Sequence, residues 1–447
     1  MSRMLTQKEI DALIKENNIL KRENKYFKTL FNSKRFKFAE KIATSYNGIF
    51  PKNTKRRSMM ESVGGTGKKI LEANKAKKHK RIVKKIDKLV VGYDKVIVLN
   101  SIPWGLKLKQ RPHHLAEEFS KLGFFVIYLE YENPLCDFKV IKKNLVTVNS
   151  EKSILELPKK GLDCYFLSPN NMSTRYEIIE KIVDKGYKFI YDYLDEFHED
   201  ISGDLSIQMG VWDRLKDLKP VLCLATAERL FRDLKKYLGN SQKVIIVRNA
   251  VNIEHFDFEK NDRGIPVDMT KILRTKKPIV GFYGALAPWI DFKMLNNIAK
   301  EHQEWEFVYL GVDYGGAAAQ LKKMNNVHNL GAKNYSDLPK YVKCFDCATI
   351  PFKKGEIAKA TSPVKLFEYM AAGLPTVCTR DLNECKGYEY VYISNDSEEF
   401  EKNIEKAIRD HGSLTKRRKL LNQAKKNTWE ERARIISDAL EGELKNA

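Results

Sequence analysis

Lys365 and Glu368 stand three residues apart in the segment TSPVKLFEYMAAGLPTV, which runs from residue 361 to residue 377. On a helix this spacing puts both side chains on one face. A cation in the first turn adds a full charge to the anion attraction of a helix N-terminus, and a carboxylate can accept hydrogen bonds from sugar hydroxyls. The pair therefore suits a diphosphate joined to a ribose. The alternative is an ordinary amphipathic helix whose Lys–Glu pair is solvated.

The residues around this pair predict where the helix begins and ends. Ser362 is a suitable N-cap, and Pro363 fits the first helical position, where its missing N–H costs nothing. Gly373 is placed to end the helix. The residues between them supply an apolar face for the core, namely Leu366, Phe367, Met370 and Ala371.

Two further loops carry single residues that could contribute to a site. In GFYGALAPW, Gly284 follows an apolar strand, where it could let a ligand approach the backbone or simply serve the turn. In FIYDYLDEFHED, Asp192, Asp195 and Glu196 come just after a strand. A carboxylate there could accept a proton, bind hydroxyls or cap the next helix.

The loop SIPWGLKLKQRPHH follows another predicted strand and is rich in polar and aromatic side chains. It brings together Trp104, Lys109, Arg111, His113 and His114. We take His113, with Asp195 and Lys365, as the candidate catalytic residues. A structural role for the histidine is the alternative, since a single histidine is often part of a core.

Short apolar strands alternate with helical stretches from residue 95 onward, which predicts parallel, doubly wound sheets of the α/β class. The first series of predicted strands is KVIVLN, FFVIYLE, DCYFLS, KFIYDYL, VLCLAT and KVIIVRN, and the second is PIVGFYG, WEFVYLG, NVHNLG, CATIPF, LPTVCT and YEYVYIS. We predict two Rossmann-like halves, at residues 91–265 and 278–410, followed by C-terminal helices at 411–447. Ligands bind beyond the carboxyl ends of parallel strands, so a site is expected in the loops named above.

The positive charge of the 447-residue chain is concentrated at its N-terminus. Residues 1–90 hold 25 Lys and Arg against 8 Asp and Glu, which accounts for +17 of the formal net charge of +22. The remainder is nearly neutral. This asymmetry argues against a body that binds nucleic acid, and for a separate anionic partner of the N-terminal arm.

Two segments make up this arm. Residues 1–33 contain heptads at 10–31, with Leu and Phe at d and two Asn at a, which predicts a short parallel coiled-coil homodimer. An isolated solvated helix is the alternative, because three heptads are few. Residues 34–90 are basic, and their first part interleaves Phe, Ile and Tyr with Lys and Arg. This predicts contact with an anionic membrane surface, with a disordered linker as the alternative.

Cysteine usage and hydropathy indicate the cellular compartment in which we expect the protein. Most of the seven cysteines lie in apolar runs, where a reduced Cys acts as a small core residue. The CFDC pair has redox or zinc spacing, but no second pair accompanies it, so we expect structural cysteines and no metal. Neither a signal peptide nor an apolar run long enough to span a membrane is visible. We therefore expect a cytoplasmic protein.

Several of these segments, taken in order, resemble the group-1, family 4-like glycosyltransferases of the GT-B fold. They are GFYGALAPWIDFKML, WEFVYLG, NVHNLG, YSDLPKYVKCFDCATIPF and SPVKLFEYMAAGLPTV, and in the first half the Trp104 and Gln110–Pro112 loop, YDYLDEF and VRNAVNIEHF. The likeness is greatest to the bacterial teichuronic-acid and exopolysaccharide branch. It covers about residues 95–435 and leaves out the arm.

The resemblance implies an enzyme that binds a nucleotide-diphosphate sugar on its second half and an acceptor on its first, across a closing cleft. It assigns the diphosphate to Lys365 and the backbone of Ser362, Pro363 and Val364, and the ribose to Glu368. A cation and a helix end can replace a divalent metal, so we expect a reaction without metal or cofactor. A lipid-linked or polysaccharide acceptor at the inner face of the membrane is the expected setting.

The sequence departs from the family pattern at two places. The carboxylate eight residues before Glu368 is here Ala360, so the first acid of the E-x7-E pattern is absent. The basic residue that often follows the glycine loop has only Lys293 as a weak counterpart. The alternative is therefore a catalytically inactive GT-B scaffold in a polysaccharide-assembly complex.

Overall fold

The computed structural model describes residues 76–106, 108–130, 138–157, 161–172, 174–260 and 264–442. The chain divides into two units, residues 1–79 and residues 80–447. The predicted coiled coil at 10–31 and the basic segment up to residue 75 lie outside the described residues, so the homodimer and the membrane contact stay predictions. No helix in the described part is long and apolar enough to cross a membrane.

The first half of the second unit contains an eight-stranded sheet. Its strands are β1 (Lys95–Asn100), β2 (Phe125–Leu129), β3 (Phe138–Lys142), β4 (Leu145–Val148), β5 (Asp163–Pro169), β6 (Lys188–Tyr193), β7 (Leu222–Ala225) and β8 (Val244–Ile246). They lie in the order β3-β4-β2-β1-β5-β6-β7-β8. All neighbours are parallel except β3 and β4, which pair antiparallel at the edge.

The second half contains a six-stranded, all-parallel sheet. Its strands are β9 (Ile279–Tyr283), β10 (Glu306–Leu310), β11 (Val327–Asn329), β12 (Cys347–Ile350), β13 (Thr376–Thr379) and β14 (Val391–Ser394). The order is β11-β10-β9-β12-β13-β14.

Helices connect the strands of both sheets. After α1, which ends at residue 89, they are α2 (Arg111–Lys121), α3 (Tyr176–Asp184), α4 (Glu199–Ser202), α5 (Ser206–Asp213), α6 (Glu228–Leu238), α7 (Ile253–Phe256), α8 (Thr270–Leu273), α9 (Phe292–Glu301), α10 (Leu338–Val342), α11 (Glu356–Ala360), α12 (Val364–Ala371), α13 (Ser397–His411), α14 (Leu414–Ala424) and α15 (Trp429–Glu441).

Both faces of the first sheet are buried. Val96 and Val98 of β1 belong to one hydrophobic core, whereas Ile97 and Leu99 belong to another. Successive side chains of a strand point to opposite faces, so cores lie on both sides of the sheet. This is the predicted doubly wound arrangement, and all twelve predicted strands are present. The edge strand β3 and its neighbour β4 were not predicted. The lysines and exposed Val140 of β3 do not form an apolar run, and the apolar run of β4 is only four residues long.

The structure moves one boundary of the predicted basic segment. Residues 80–89 were grouped with the arm, yet they are helical, and Ile82 and Ile86 of α1 are buried in a core of the first half. Lysines and arginines stand between the apolar residues of this stretch, so the helical spacing of those apolar residues was not recognised in the sequence. These residues belong to the α/β body.

The C-terminal helix α15 packs on the first half of the unit. Trp429, Ala433 and Ile436 share a core with Leu115 and Phe119 of α2. The backbone N–H of Trp429 also donates to the Val251 carbonyl oxygen at 3.3 Å. The chain therefore crosses back from the second half, and α15 is part of the first-half core.

Candidate active site

A cavity of about 290 Å³ lies between the two halves at the carboxyl ends of their strands. Gly284 follows β9, Gly311 follows β10, and Asp195 comes two residues after β6. Lys365 and Glu368 of α12 line the same cavity. Both halves therefore contribute residues to one cleft, where parallel sheets are expected to bind their ligands.

Helix α12 begins one residue later than predicted. Pro363 is its N-cap, and Val364 is its first residue. Ser362 is not the cap. Its Oγ accepts from the Asn249 N–H at 3.2 Å, and its carbonyl oxygen accepts from Asn249 Nδ2 at 2.7 Å. Ser362 therefore ties the start of α12 to the first half.

The predicted end of this helix is confirmed. Helix α12 ends at Ala371, and Gly373 has a φ of +67°, a left-handed conformation that favours glycine. The Leu374 N–H donates to the Tyr369 carbonyl oxygen at 2.9 Å. This closes the last turn and directs the chain into β13.

Lys365 lies against aromatic rings and the backbone of the glycine loop. Its Nζ is 5.7 Å from the Phe282 ring centroid and 5.4 Å from that of Phe352. Burial lowers its pKa, and Glu368 partly opposes this change. A Cβ on Gly284, whose φ is +142°, would lie 2.8 Å from Lys365 Cε. The glycine thus leaves the space that the lysine side chain occupies.

Glu368 is buried at the base of the cleft, with 4% of its surface exposed. It accepts a hydrogen bond from the Tyr283 hydroxyl. Burial raises its pKa to about 7, while Tyr283 and Lys365 act in the opposite direction. The Tyr369 hydroxyl accepts from the Tyr283 N–H at 2.9 Å, which fixes α12 against β9.

Asp195 faces Lys365 from the first half. Both residues line the main cavity and also a neighbouring one of about 280 Å³. Asn171 Nδ2 donates to Asp195 Oδ2 at 3.1 Å, and Asn170 Nδ2 donates to the Asp195 carbonyl oxygen at 2.8 Å. Burial raises the pKa of this carboxyl.

Sequence reasoning missed Asn170 and Asn171, which hold Asp195 in place. Both directly follow β5, the neighbour of β6 in the sheet. The rule that ligand-facing residues follow parallel strands was the signal that could have found them.

The structure does not bring His113 to the cavity. Its Nδ1 accepts from the Gln110 N–H at 3.2 Å, and its Nε2 lies 3.3 Å from the Pro103 carbonyl oxygen. It therefore helps cap α2, and burial lowers its pKa. His114 is buried too and stacks on Trp429 with 5.0 Å between ring centroids. We do not retain His113 as a catalytic candidate.

Arg111 from the same loop has a positioning role. Its guanidinium makes two hydrogen bonds to the Asp192 carboxylate, at 2.9 and 3.1 Å, and donates to the Val247 carbonyl oxygen at 2.9 Å. This pair holds the loop that carries Asn249 against the sheet. Asp192 is thus engaged by Arg111, whereas Asp195 faces the cavity.

Ala360 is fully buried in a core of the first half. The carboxylates that line the two cleft cavities, among the described residues, are Asp195 and Glu368. No group of three His, Cys, Asp or Glu side chains in the described part is arranged to hold a metal ion.

Two facing α/β halves with a ligand-sized cleft define the GT-B class of fold, and solved structures of that architecture align with most of this chain. Sucrose-phosphate synthase from Thermosynechococcus elongatus has a TM-score of 0.58 and 13% identity, with 78% of this chain and 98% of that chain covered. Anabaena HepE in complex with UDP and glucose has a TM-score of 0.55 and 13% identity, with 78% and 99% covered. The E. coli trehalose-6-phosphate structure bound with UDP-2-fluoro glucose has a TM-score of 0.58 and 12% identity, with 77% and 98% covered.

The family resemblance is confirmed for the second half. Residues 277–410 match the model of the glycosyl transferases group 1 family. TuaH of Bacillus subtilis (strain 168), provisionally named as a teichuronic acid biosynthesis glycosyltransferase, is 32% identical over 205 residues. That match covers 44% of this chain and 50% of the relative, so the chain matches about half the length of TuaH. The matched family is one of glycosyl transferases, and TuaH carries the name of a glycosyltransferase, so both belong to the transferase class of enzymes.

Proposed function

We propose that the protein transfers a sugar from a nucleotide-diphosphate sugar to a lipid-linked or polysaccharide acceptor, without a metal. The observation that carries this proposal is the cleft in which Lys365 and Glu368 of α12 face Asp195 of the other half. The family match of residues 277–410 supports the reaction type. Solved relatives of the same fold hold UDP or a UDP-sugar.

Lys365 and the start of α12 receive the diphosphate. Backbone hydrogen bonding in this helix begins with the Leu366 N–H, which donates to the Pro363 carbonyl oxygen at 3.1 Å. The N–H groups of Val364 and Lys365 precede it, at the positive end of the helix dipole. Negative charge grows on the diphosphate as the bond to the sugar breaks. A cation held in a partly dry cleft stabilises that charge more in the transition state than in the ground state.

Glu368 binds the ribose. Its carboxyl is buried beside Tyr283, and a hydroxyl pair of ribose supplies hydrogen-bond donors that favour the ionised form. Asp195 lies across the cleft, on the acceptor side. There its carboxyl accepts a hydrogen bond or a proton from the attacking hydroxyl group.

The arm places this reaction at the inner face of the membrane. Residues 1–79 of the arm hold 20 Lys and Arg against 7 Asp and Glu, a charge of +13 that suits an anionic lipid surface, and the heptads suit a parallel homodimer. Residues 80–89 are part of the folded body, so contact with lipid is assigned to the arm before them.

Replacing Lys365 tests the proposal. In Lys365→Ala we expect sugar transfer from the preferred nucleotide sugar to fall at least about tenfold, because one charge-assisted contact is worth roughly 1.5–3 kcal/mol. Transfer is measured as nucleotide released from a panel of UDP- and GDP-sugars in the presence of membrane lipid extract. Lys359→Ala is the matched control, since Lys359 pairs with Glu356 outside the cleft lining. Unchanged turnover in the folded Lys365 variant contradicts the phosphate role.

A catalytically silent scaffold is the second candidate, and buried Ala360 is the observation that favours it. The same panel separates the two candidates. A scaffold releases no nucleotide above background from any donor, whereas the transferase releases it from at least one.

A further inference from the structure

A second polar cavity, of about 270 Å³, lies on the junction of the two halves away from the cleft. Its described lining shares no residue with the two cleft cavities. The charged groups in its wall are Glu228 and Arg248 of the first half, Glu384 and Lys386 of the second, and Arg432 of α15. Three separate parts of the chain therefore meet around one cavity.

Arg432 is a buried cation whose hydrogen bonds go to neutral groups. It is 8% exposed, and it donates from Nε to the Arg248 carbonyl oxygen at 3.1 Å and from Nη2 to Asn427 Oδ1 at 2.6 Å. Among the described residues, no carboxylate forms an ion pair with it. Burial lowers its pKa to about 10, and Arg111 and Arg248 act in the same direction. A buried, unneutralised charge on a cavity wall favours an anion in that cavity.

The cavity wall contains a second cation, Lys386, that forms no ion pair with the described carboxylates of the wall. Glu384 accepts from Arg248 Nε and, at 2.9 Å, from the Glu228 N–H. The Glu228 carboxylate lies 3.5 Å from Arg248. The carboxylates are therefore engaged by Arg248. Lys386 is exposed and donates to the neutral Asn383 Oδ1 at 2.7 Å.

We propose that this cavity binds a phosphate group between Arg432 and Lys386. An arginine fork and a lysine ammonium are the donors that phosphate oxygens prefer, and Tyr388 lines the same cavity. A water molecule, with one heavy atom, occupies about 30 Å³ of liquid, so a phosphate ion with five heavy atoms occupies less than the cavity volume. Phosphate alone therefore fills only part of the cavity. The cavity therefore has room for a small phosphate monoester as well as for free phosphate.

The phosphate cavity and the cleft are connected through neighbouring residues of the chain. Arg248 lines the phosphate cavity, and the next residue, Asn249, lines the cleft and bonds Ser362 at the start of α12. The ligand also joins Lys386 of one half to Arg432, which packs with the other.

The test is the melting temperature of the full chain in inorganic phosphate and in glycerol 3-phosphate, each against sodium chloride of equal ionic strength. Both probes are expected to raise it, because a ligand of the native state stabilises that state, and glycerol 3-phosphate is expected to act at the lower concentration. Equal action of the two probes still supports the site and assigns free phosphate as the ligand. In Lys386→Gln the apparent affinity is expected to fall about tenfold, which is the loss of one charge-assisted bond. Arg432→Gln should act in the same direction if it folds.

Two controls locate the site. Lys425→Gln removes an exposed charge from the nearby chain outside the cavity wall, and it should leave the shift unchanged. Lys365→Ala should also keep the rise in melting temperature, since the phosphate contacts proposed for Lys365 lie in the cleft. The proposal is overturned if phosphate raises the melting temperature no more than sodium chloride does. It is also overturned if the melting temperature rises equally in Lys386→Gln and in the wild type. Loss of the shift in Lys365→Ala places the phosphate in the cleft and equally overturns it.

Discussion

Lys365 and Glu368 share one face of α12, and burial acts on the pKa of each in the direction that neutralises it. The pKa of the lysine is lowered, and that of the glutamate is raised to about 7. A diphosphate beside the ammonium and ribose hydroxyls beside the carboxylate would reverse both shifts. At the scale of single residues, the cleft therefore holds groups whose charged forms are stabilised by the proposed ligand.

Glu368→Gln tests the buried carboxyl through the pH dependence of stability. A carboxyl whose pKa is raised on folding contributes stability below its unfolded value, about 4.3, and that contribution is lost as pH rises through about 7. Wild type should lose about 3 kcal/mol of unfolding free energy relative to Glu368→Gln between pH 4.5 and 8. Urea unfolding of both proteins across this range measures it. Parallel curves for the two proteins contradict the raised pKa.

At the scale of elements, the loops after β9 and β10 shape the cleft together. A Cβ on Gly311 would lie 1.7 Å from the Gly284 carbonyl oxygen, so the two loops touch through their backbones. Gly284 in turn borders the Lys365 side chain. These contacts set the position of the lysine relative to the sheet.

Gly284→Ala should displace Lys365 and weaken nucleotide binding about tenfold or more, because the new methyl group would overlap the lysine. Gly355→Ala is a matched control. Its φ of +145° is close to the +142° of Gly284, yet nothing lies within 4 Å of its Cβ position. Both variants should lose about 1–3 kcal/mol of stability from backbone strain. Equal nucleotide affinity in the two variants, measured by calorimetry, contradicts the role assigned to Gly284.

The elements of the body were largely predictable from the sequence, and their mutual contacts were not. Apolar strands such as KVIVLN and the end of α12 at Gly373 depend on neighbouring residues, which local patterns record. Ser362 fits an N-cap locally, but its hydroxyl bonds Asn249, which lies 113 residues away. His113 looked available in a polar loop, and the capping of α2 engages it instead. Contacts of this kind depend on the assembled fold.

At the scale of the whole molecule, the halves are held together by a few specific contacts. Asn249 bonds Ser362, and Arg248 pairs with Glu384. Helix α15 follows the second half in sequence and completes the core of the first. The position of one half against the other therefore depends on residues at the cleft, such as Asn249 and Ser362, and on residues outside its lining, such as Arg248 and Glu384.

Trp429→Ala should destabilise the protein by about 3–5 kcal/mol, since it empties a buried aromatic site against α2. Leu414→Ala, at a side chain that is 49% exposed, is the control and should change stability by less than about 0.5 kcal/mol. Chemical denaturation measures both. A small effect of the tryptophan change contradicts the assignment of α15 to the first-half core.

The most direct test of the donor site is calorimetric titration of UDP and GDP into the wild-type protein, Lys365→Ala and Lys359→Ala. We predict that at least one nucleotide binds wild type and Lys359→Ala alike, without added metal, and binds Lys365→Ala about tenfold more weakly. Equal binding by Lys365→Ala, or binding of neither nucleotide by the wild type, would contradict a donor site at the start of α12.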